Sequence, residues 1–253
     1  MNILLTNDDG VNALGMTALE NELKKEHDVW VIAPDRERSG CSHGISLKEA
    51  IRVRKLDEKR YSCSGSPVDC VLIAYLSDIP VQPDLVISGI NIGPNLGTDI
   101  IYSGTAAAAR QAALMGKPAL AVSLAASKKP LYPEAAARFV TRNLNNFIEL
   151  WNEDLFININ VPNRKNLTDT VDADADVVIT HPSRRFYKDH LVNFEAPNGE
   201  IYYFLKGNVI ESEKDPDSDG DAIARGKISV SPIYIHPMNH SDDELFHNTL
   251  FKW

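Results

Sequence analysis

Two adjacent carboxylates, Asp8 and Asp9, stand directly after an apolar run, Ile3-Leu4-Leu5, and are followed by Gly10. Neighbouring acids repel each other, and a divalent cation between them removes that cost. Read alone, the stretch is more simply an Asp-Gly turn leading into a helix. Adjacent residues of a strand face opposite ways, so both acids can reach one ion only where the chain bends, and Gly10 allows such a bend.

Two further loops carry side chains of the same chemical kind. In Ser39-Gly40-Cys41-Ser42-His43-Gly44, a hydroxyl can complete an oxygen shell and an imidazole can move a proton near neutral pH, although a lone His43 is more often structural. In GINIGPNLG (residues 89–97), Asn91 and Asn95 offer amide groups, and the glycines permit close backbone approach. That run is not G-x-G-x-x-G, so no dinucleotide site is inferred from it. Ser103-Gly104-Thr105 then opens an alanine-rich stretch; a helix end with hydroxyls and free amides can seat a phosphate, and N-capping by Ser103 or Thr105 can coexist with that role. Oxygen and amide ligands favour magnesium or manganese over zinc or copper. A hard cation beside an anion seat suits phosphate-ester hydrolysis, since it polarises a phosphoryl oxygen and makes water a better nucleophile.

These loops need a scaffold that gathers them. Residues 2–6, 28–33, 84–88, 119–123 and 155–161 read as buried strands, and 14–25, 68–76, 106–115 and 133–151 as helices. The alternation predicts an α/β fold with a doubly wound, mostly parallel, Rossmann-like sheet, whose ligands gather at the carboxyl ends of the strands. Ser66-Pro67-Val68-Asp69 carries the signals of a helix start. Residues 51–55 and 60–64 pattern as a small hairpin, and 184–210 as a long one turning at Pro197-Asn198-Gly199. Residues 215–235 suggest a short helix and a last strand, and the tail places Leu245, Phe246, Leu250, Phe251 and Trp253 on an amphipathic segment. A lone ribbon and an apolar tail are marginally stable alone, so both are expected to pack on a partner subunit or a neighbouring surface. The expected plan is a single α/β domain over 1–253: a Rossmann-like core at 1–180, a protruding hairpin at 181–212, a return to the core at 213–236, and a tail at 237–253 used for oligomerisation.

The chain has 253 residues, 43% of them hydrophobic, and a formal charge of −9. The core is therefore ample, and the acidic balance argues against a groove for long nucleic acids. Cys41, Cys63 and Cys70 lack the spacing of a disulfide framework or metal finger and read as reduced thiols. With no basic leader and no long apolar run, a soluble, cytoplasmic protein that does not enter the membrane is expected.

In order along the chain, MNILLTNDDG, RSGCSHGIS, GSPVDCV, PDLVISGINIGPNLGTDIIYSGTAAAA, GKPALAVS and DSDGDAIARGKISVSPI resemble the survival protein E (SurE) family of metal-dependent nucleotidases. The resemblance implies one divalent cation, Mg²⁺ or Mn²⁺, per subunit on Asp8, Asp9, Ser39 and Asn95. It implies a phosphate pocket at Asn91, Ser103, Gly104 and Thr105, with Asp8 and Asp9 catalytic, and His43 is expected to act as proton donor. Nucleoside 5′- and 3′-monophosphates are the implied substrates, with short polyphosphate a further one, and homodimers or homotetramers built on the C-terminal half the implied assembly. The chain departs from the family pattern at Ala13-Leu14-Gly15, which lacks a proline, at Arg110-Gln111-Ala112, which replaces a more usual acidic-glycine pair, and at Lys227, where an aromatic is common. None of these falls on an expected ligand. Two rival readings are a phosphatase with Asp8 or Asp9 as nucleophile, for which the usual Asp-x-Asp spacing is missing, and a non-catalytic nucleotide-binding or sensing protein that kept the pocket.

Overall fold

The computed structural model describes residues 1–126, 128–165, 177–210 and 215–236. In chain order the elements of the first half are β1 (Asn2–Thr6), α1 (Leu14–Leu23), β2 (Asp28–Pro34), β3 (Val53–Asp57), β4 (Arg60–Cys63), α2 (Pro67–Leu76) and β5 (Leu85–Ile92). A 3₁₀ turn at Gly97–Ile101 then leads to α3 (Gly104–Leu114), β6 (Ala119–Ala125), α4 (Pro133–Arg142), α5 (Leu144–Leu150) and β7 (Leu155–Pro162). The remainder forms β8 (Val177–Ile179), β9 (Phe186–Glu195), β10 (Ile201–Ile210), α6 (Asp219–Ala224) and β11 (Ile228–Tyr234).

Nine strands form one sheet in the order β3-β4-β2-β1-β5-β6-β7-β11-β8. Its centre, β4-β2-β1-β5-β6-β7, is parallel throughout; β3 and β11 run antiparallel to their neighbours β4 and β7. The apolar run of β1 has no polar alternation because both faces of the sheet are covered. Ile3 and Leu5 pack with Met16 and Leu19 of α1, Val140 of α4 and Phe147 of α5. Leu4 faces the other way, among Cys70 and Val71 of α2 and Ala106, Ala109 and Ala112 of α3. The expected doubly wound sheet is therefore present. The chain goes from β1 to β2, then crosses back over β1 to β5, so the strand order reverses between β1 and β5. Crevices of open parallel sheets lie at the carboxyl ends flanking such a reversal.

Several elements differ from expectation. The single helix over 133–151 is two helices, broken at Asn143, whose side-chain amide donates to the Phe139 carbonyl at 2.8 Å. An Asn competing for helix backbone groups is a common reason for such a break. β5 continues past Ser88 to Ile92 through a register shift between Ser88 and Asn91, so part of the supposed loop is strand. α3 begins at Gly104, two residues earlier than expected, because Ser103 caps it. β9 and β10 form a separate antiparallel ribbon with Phe186, Leu191, Phe194, Tyr202, Tyr203, Phe204 and Leu205 exposed. Phe194 stacks with Tyr202 and Phe204 on one side of it. The expected amphipathic tail, 237–253, lies outside the described residues. Among the described residues no helix is long and apolar enough to cross a membrane.

Candidate active site

At the end of β1, Asn7 folds the chain back on itself. Its Oδ1 accepts from the Gly10 amide at 3.1 Å and its Nδ2 donates to the Gly10 carbonyl at 2.9 Å, while Gly10 takes φ of +104°. This bend sends the two acids to different surroundings. Asp8 is only 4% exposed and sits against the N-terminus of α3. Thr105 donates to it twice, hydroxyl to Oδ1 at 2.5 Å and amide to Oδ2 at 3.1 Å. α3 can come this close because residue 104 is glycine: a Cβ there would lie 2.9 Å from the Asp8 Cβ and 2.8 Å from the Cys41 Sγ. Asp9 is half-buried, and its Oδ2 accepts from the Ile92 amide of β5 at 3.2 Å. The acids just after β1 thus touch both α3 and β5 across the strand reversal.

Burial pushes the Asp8 carboxyl above its ordinary value, against the lowering effect of the Thr105 hydrogen bonds. Asp9 is pushed up to about 6, first by burial, then by the charges of Asp8 and Glu37. Among the described residues, no cationic side chain is a leading cause of relief for either acid. The pair is therefore in electrostatic debt that positive charge would cancel.

The loop after β2 lies alongside. Arg38 donates its amide to the Asp8 carbonyl at 2.7 Å. Ser39 follows directly; it is exposed, and its hydroxyl donates to Glu37 Oε1 at 2.9 Å. Ser42 anchors the same loop to the segment before α3, its amide donating to the Tyr102 carbonyl and its hydroxyl to the Ile101 carbonyl. His43 Nε2 faces Gln111 Oε1 of α3 at 3.0 Å, and its Nδ1 is buried with no hydrogen-bond partner among the described residues. Cys41 is half-buried, its thiol pushed up by burial and by the Asp8 charge.

Asn95 is the most heavily braced of the expected site residues. Its amide donates to Asn160 Oδ1 at 2.9 Å, and its carbonyl accepts from Nδ2 of Asn158 at 2.9 Å and of Asn160 at 3.0 Å. Its own Nδ2 donates to the Ser123 hydroxyl at 2.8 Å. With the side-chain nitrogen engaged, Oδ1 is the atom left to serve a cation. Asn91 instead turns onto its own loop, Nδ2 donating to the Gly93 carbonyl at 2.8 Å. Ser103 Oγ accepts from the Ala106 amide at 3.0 Å as the cap of α3.

Asp8, Asp9, Gly104 and Thr105 are thus directly joined, with Ser39 one residue from a backbone contact to Asp8. Asn95 comes from the neighbouring loop of β5. Thr105 spends both its donors on Asp8. The donor set fits a hard cation: two carboxylates without an ion-pair partner among the described residues, and an Asn whose side-chain nitrogen is engaged so that its oxygen is left to serve. Among the described residues no group of three or more His, Cys, Asp or Glu side chains is placed to hold a metal, so neutral oxygens must complete any such shell. Sequence reasoning missed Asn158, Asn160 and Ser123. Their signal was available, since ININ in β7 and the serine of ALAVS put polar residues at buried positions of otherwise apolar strands. A surface hollow lined by Tyr75, Ile79, Val81 and Lys117 lies at the opposite, amino-terminal ends of the strands and contains none of these residues.

The family model for Survival protein SurE matches residues 3–189. The chain is 39% identical over 244 residues to the 5′-nucleotidase SurE of Thermosipho melanesiensis, covering 94% of this chain and 93% of the relative. It is 41% identical over 247 residues to that of Fervidobacterium nodosum, with 94% and 93% covered. Among solved structures, the SurE protein from Aquifex aeolicus superposes with a TM-score of 0.82 at 31% identity, over 97% of this chain and 98% of that one.

Proposed function

The chain belongs to the SurE family, and from that premise we propose that it is a metal-dependent phosphomonoesterase releasing phosphate from nucleoside 5′- and 3′-monophosphates, with short polyphosphate a further substrate. The observation that carries the reading is the Asp8–Asp9 pair: two acids at the strand reversal, both with raised pKa and, among the described residues, without an ion-pair partner. Asp8, Asp9, Ser39 and Asn95 would hold one Mg²⁺ or Mn²⁺ per subunit. When bound, such an ion neutralises phosphoryl charge and lowers the pKa of water.

The protein's own groups do the rest. Asn91 and the Ser103-Gly104-Thr105 turn orient the phosphate, Thr105 acting chiefly by fixing Asp8. His43 would supply a proton to the leaving oxygen once its Nε2 leaves Gln111, and the buried floor of Asn158, Asn160 and Ser123 keeps Asn95 from swinging away. The two acids are adjacent and lack the Asp-x-Asp spacing usual for a covalent carboxylate nucleophile, which favours a ligand role for them. The single-domain plan with a hairpin at 181–212 and a tail at 237–253 belongs to the same reading: the exposed aromatic ribbon is covered by a second copy in a homodimer or homotetramer. The protein works in the cytoplasm.

The test is phosphate release from nucleoside monophosphates and polyphosphate with Mg²⁺, with Mn²⁺ and with chelator, using the wild type and Asp9→Asn. Release should require the cation and vanish in Asp9→Asn, which should still fold. Full activity in chelated Asp9→Asn protein would sink the metal assignment.

A further inference from the structure

We propose that Asp219 is a positioning residue of this active site: its buried carboxylate fixes the turn that links Asn95 to Ser103. The proposal rests on the nucleotidase reading above and extends it to a residue far from the acids in sequence.

Asp219 opens α6 and is fully buried. Its Oδ2 accepts from the Gly97 amide at 2.7 Å and its Oδ1 from the Ser183 amide at 2.9 Å. Its own amide donates to the His181 carbonyl at 2.9 Å. One side chain therefore clamps two remote pieces of backbone, one of which lies two residues beyond Asn95. From the other side, Asn158 and Asn160 hold the backbone of Asn95 itself. The stitching continues past Gly97: Arg185 donates its amide to Thr98 Oγ1 at 3.1 Å, and its guanidinium and the Tyr187 hydroxyl both bond Asp99. The 97–101 turn, which runs from Asn95 towards Ser103, is in this way sewn to the base of β9, with Asp219 as the buried knot.

A carboxylate suits this position because two N–H donors converge on it, and it offers an acceptor to each. A side-chain amide keeps one acceptor and turns a donor against the second N–H. The spacing of Asp215, Asp217, Asp219 and Gly220 resembles a calcium loop. Yet Asp219 points inward onto two amides, which assigns it to backbone support.

The experiment uses the full chain carrying Asp219→Asn. Mn²⁺ affinity is read by calorimetry without nucleotide, amide hydrogen exchange over 94–99 and 183–187 by mass spectrometry, and kcat and KM with Mn²⁺. Phe147→Leu, a core change in α5, shows what lost stability alone does. Asp219→Asn should weaken Mn²⁺ binding by roughly 10–100-fold, as supporting partners of ligands do. It should lower kcat more than it raises KM, and speed exchange at 94–99, while Phe147→Leu lowers the melting temperature and leaves these readouts alone. Wild-type Mn²⁺ affinity and wild-type exchange at 94–99 in folded Asp219→Asn protein overturn the proposal. Should that variant not fold, Gly97→Ala attacks the same junction, because its Cβ would fall 2.0 Å from the Ser183 carbonyl oxygen; the same two results decide. A wild type that neither binds Mn²⁺ nor releases phosphate defeats the nucleotidase reading itself, and exchange at 94–99 then decides the role of Asp219 alone.

Discussion

Thr105 donates its hydroxyl to Asp8 Oδ1 at 2.5 Å and its amide to Oδ2 at 3.1 Å, so one residue of α3 fixes both oxygens of a carboxylate two residues past β1. Thr105→Val keeps the shape and removes the hydroxyl. Asp8 then loses the interaction that most opposes its raised pKa. Phosphate release should fall by about 10–100-fold in kcat/KM, the usual effect of losing a ligand's supporting partner. Thr105→Ser should stay near wild type, and steady-state assays on the two variants decide the point.

Gly104→Ala introduces a methyl group 2.9 Å from the Asp8 Cβ and 2.8 Å from the Cys41 Sγ. Neither neighbour is the free end of a long side chain. Overpacking at such a place costs about 1–3 kcal/mol, which urea unfolding would measure. Activity should fall by more than the lost stability explains, because the displaced atom belongs to Asp8.

Asn160 holds both the amide and the carbonyl of Asn95, whereas Asn158 shares only the carbonyl. Asn160→Ala leaves the Asn95 N–H buried without a partner, a loss of about 1–3 kcal/mol. Asn158→Ala leaves the Asn95 carbonyl still bonded to Asn160. Mn²⁺ titration should therefore show a much larger loss of affinity for Asn160→Ala than for Asn158→Ala; equal losses would contradict this division of labour.

The raised pKa of Asp9 sets a pH dependence for metal-free protein. In the folded state burial and the Asp8 charge push the Asp9 carboxyl up to about 6, from an ordinary 3.8. Between those values the folded chain binds more protons than the unfolded one, so stability falls as pH rises through the window. Above it, the metal-free protein carries the full repulsion among Asp8, Asp9 and Glu37. Melting curves in chelator should drop from pH 4.5 to pH 6.5 by this contribution. Asp9→Asn should flatten the drop, and added Mn²⁺ should stabilise the wild type more at pH 7 than at pH 5.

Much of this was readable from sequence where the determinants are local. The bend after Asp9 needs only Asn7 and Gly10, three residues apart, and the α2 capping box needs only Ser66 and Asp69. The parallel sheet followed from the alternation of apolar strands with helical stretches. What escaped were contacts made over long stretches of chain. Asn95 meets Asn160 across 65 residues and Gly97 meets Asp219 across 122, and no local pattern announces either pairing. The break at Asn143 escaped for the opposite reason: one side-chain hydrogen bond outweighed an apolar periodicity that ran straight through it.

Those separations also set a schedule. By the time Thr105 has been synthesised, the chain holds Asp8, Asp9, Ser39 and Asn95, but not β7 or Asp219. Loops closed over such distances form late, after the elements that end them exist. A nascent chain that stops before α6 owns every expected ligand and none of the clamp on Gly97. On the role proposed for Asp219, a working centre would form only once α6 has been translated.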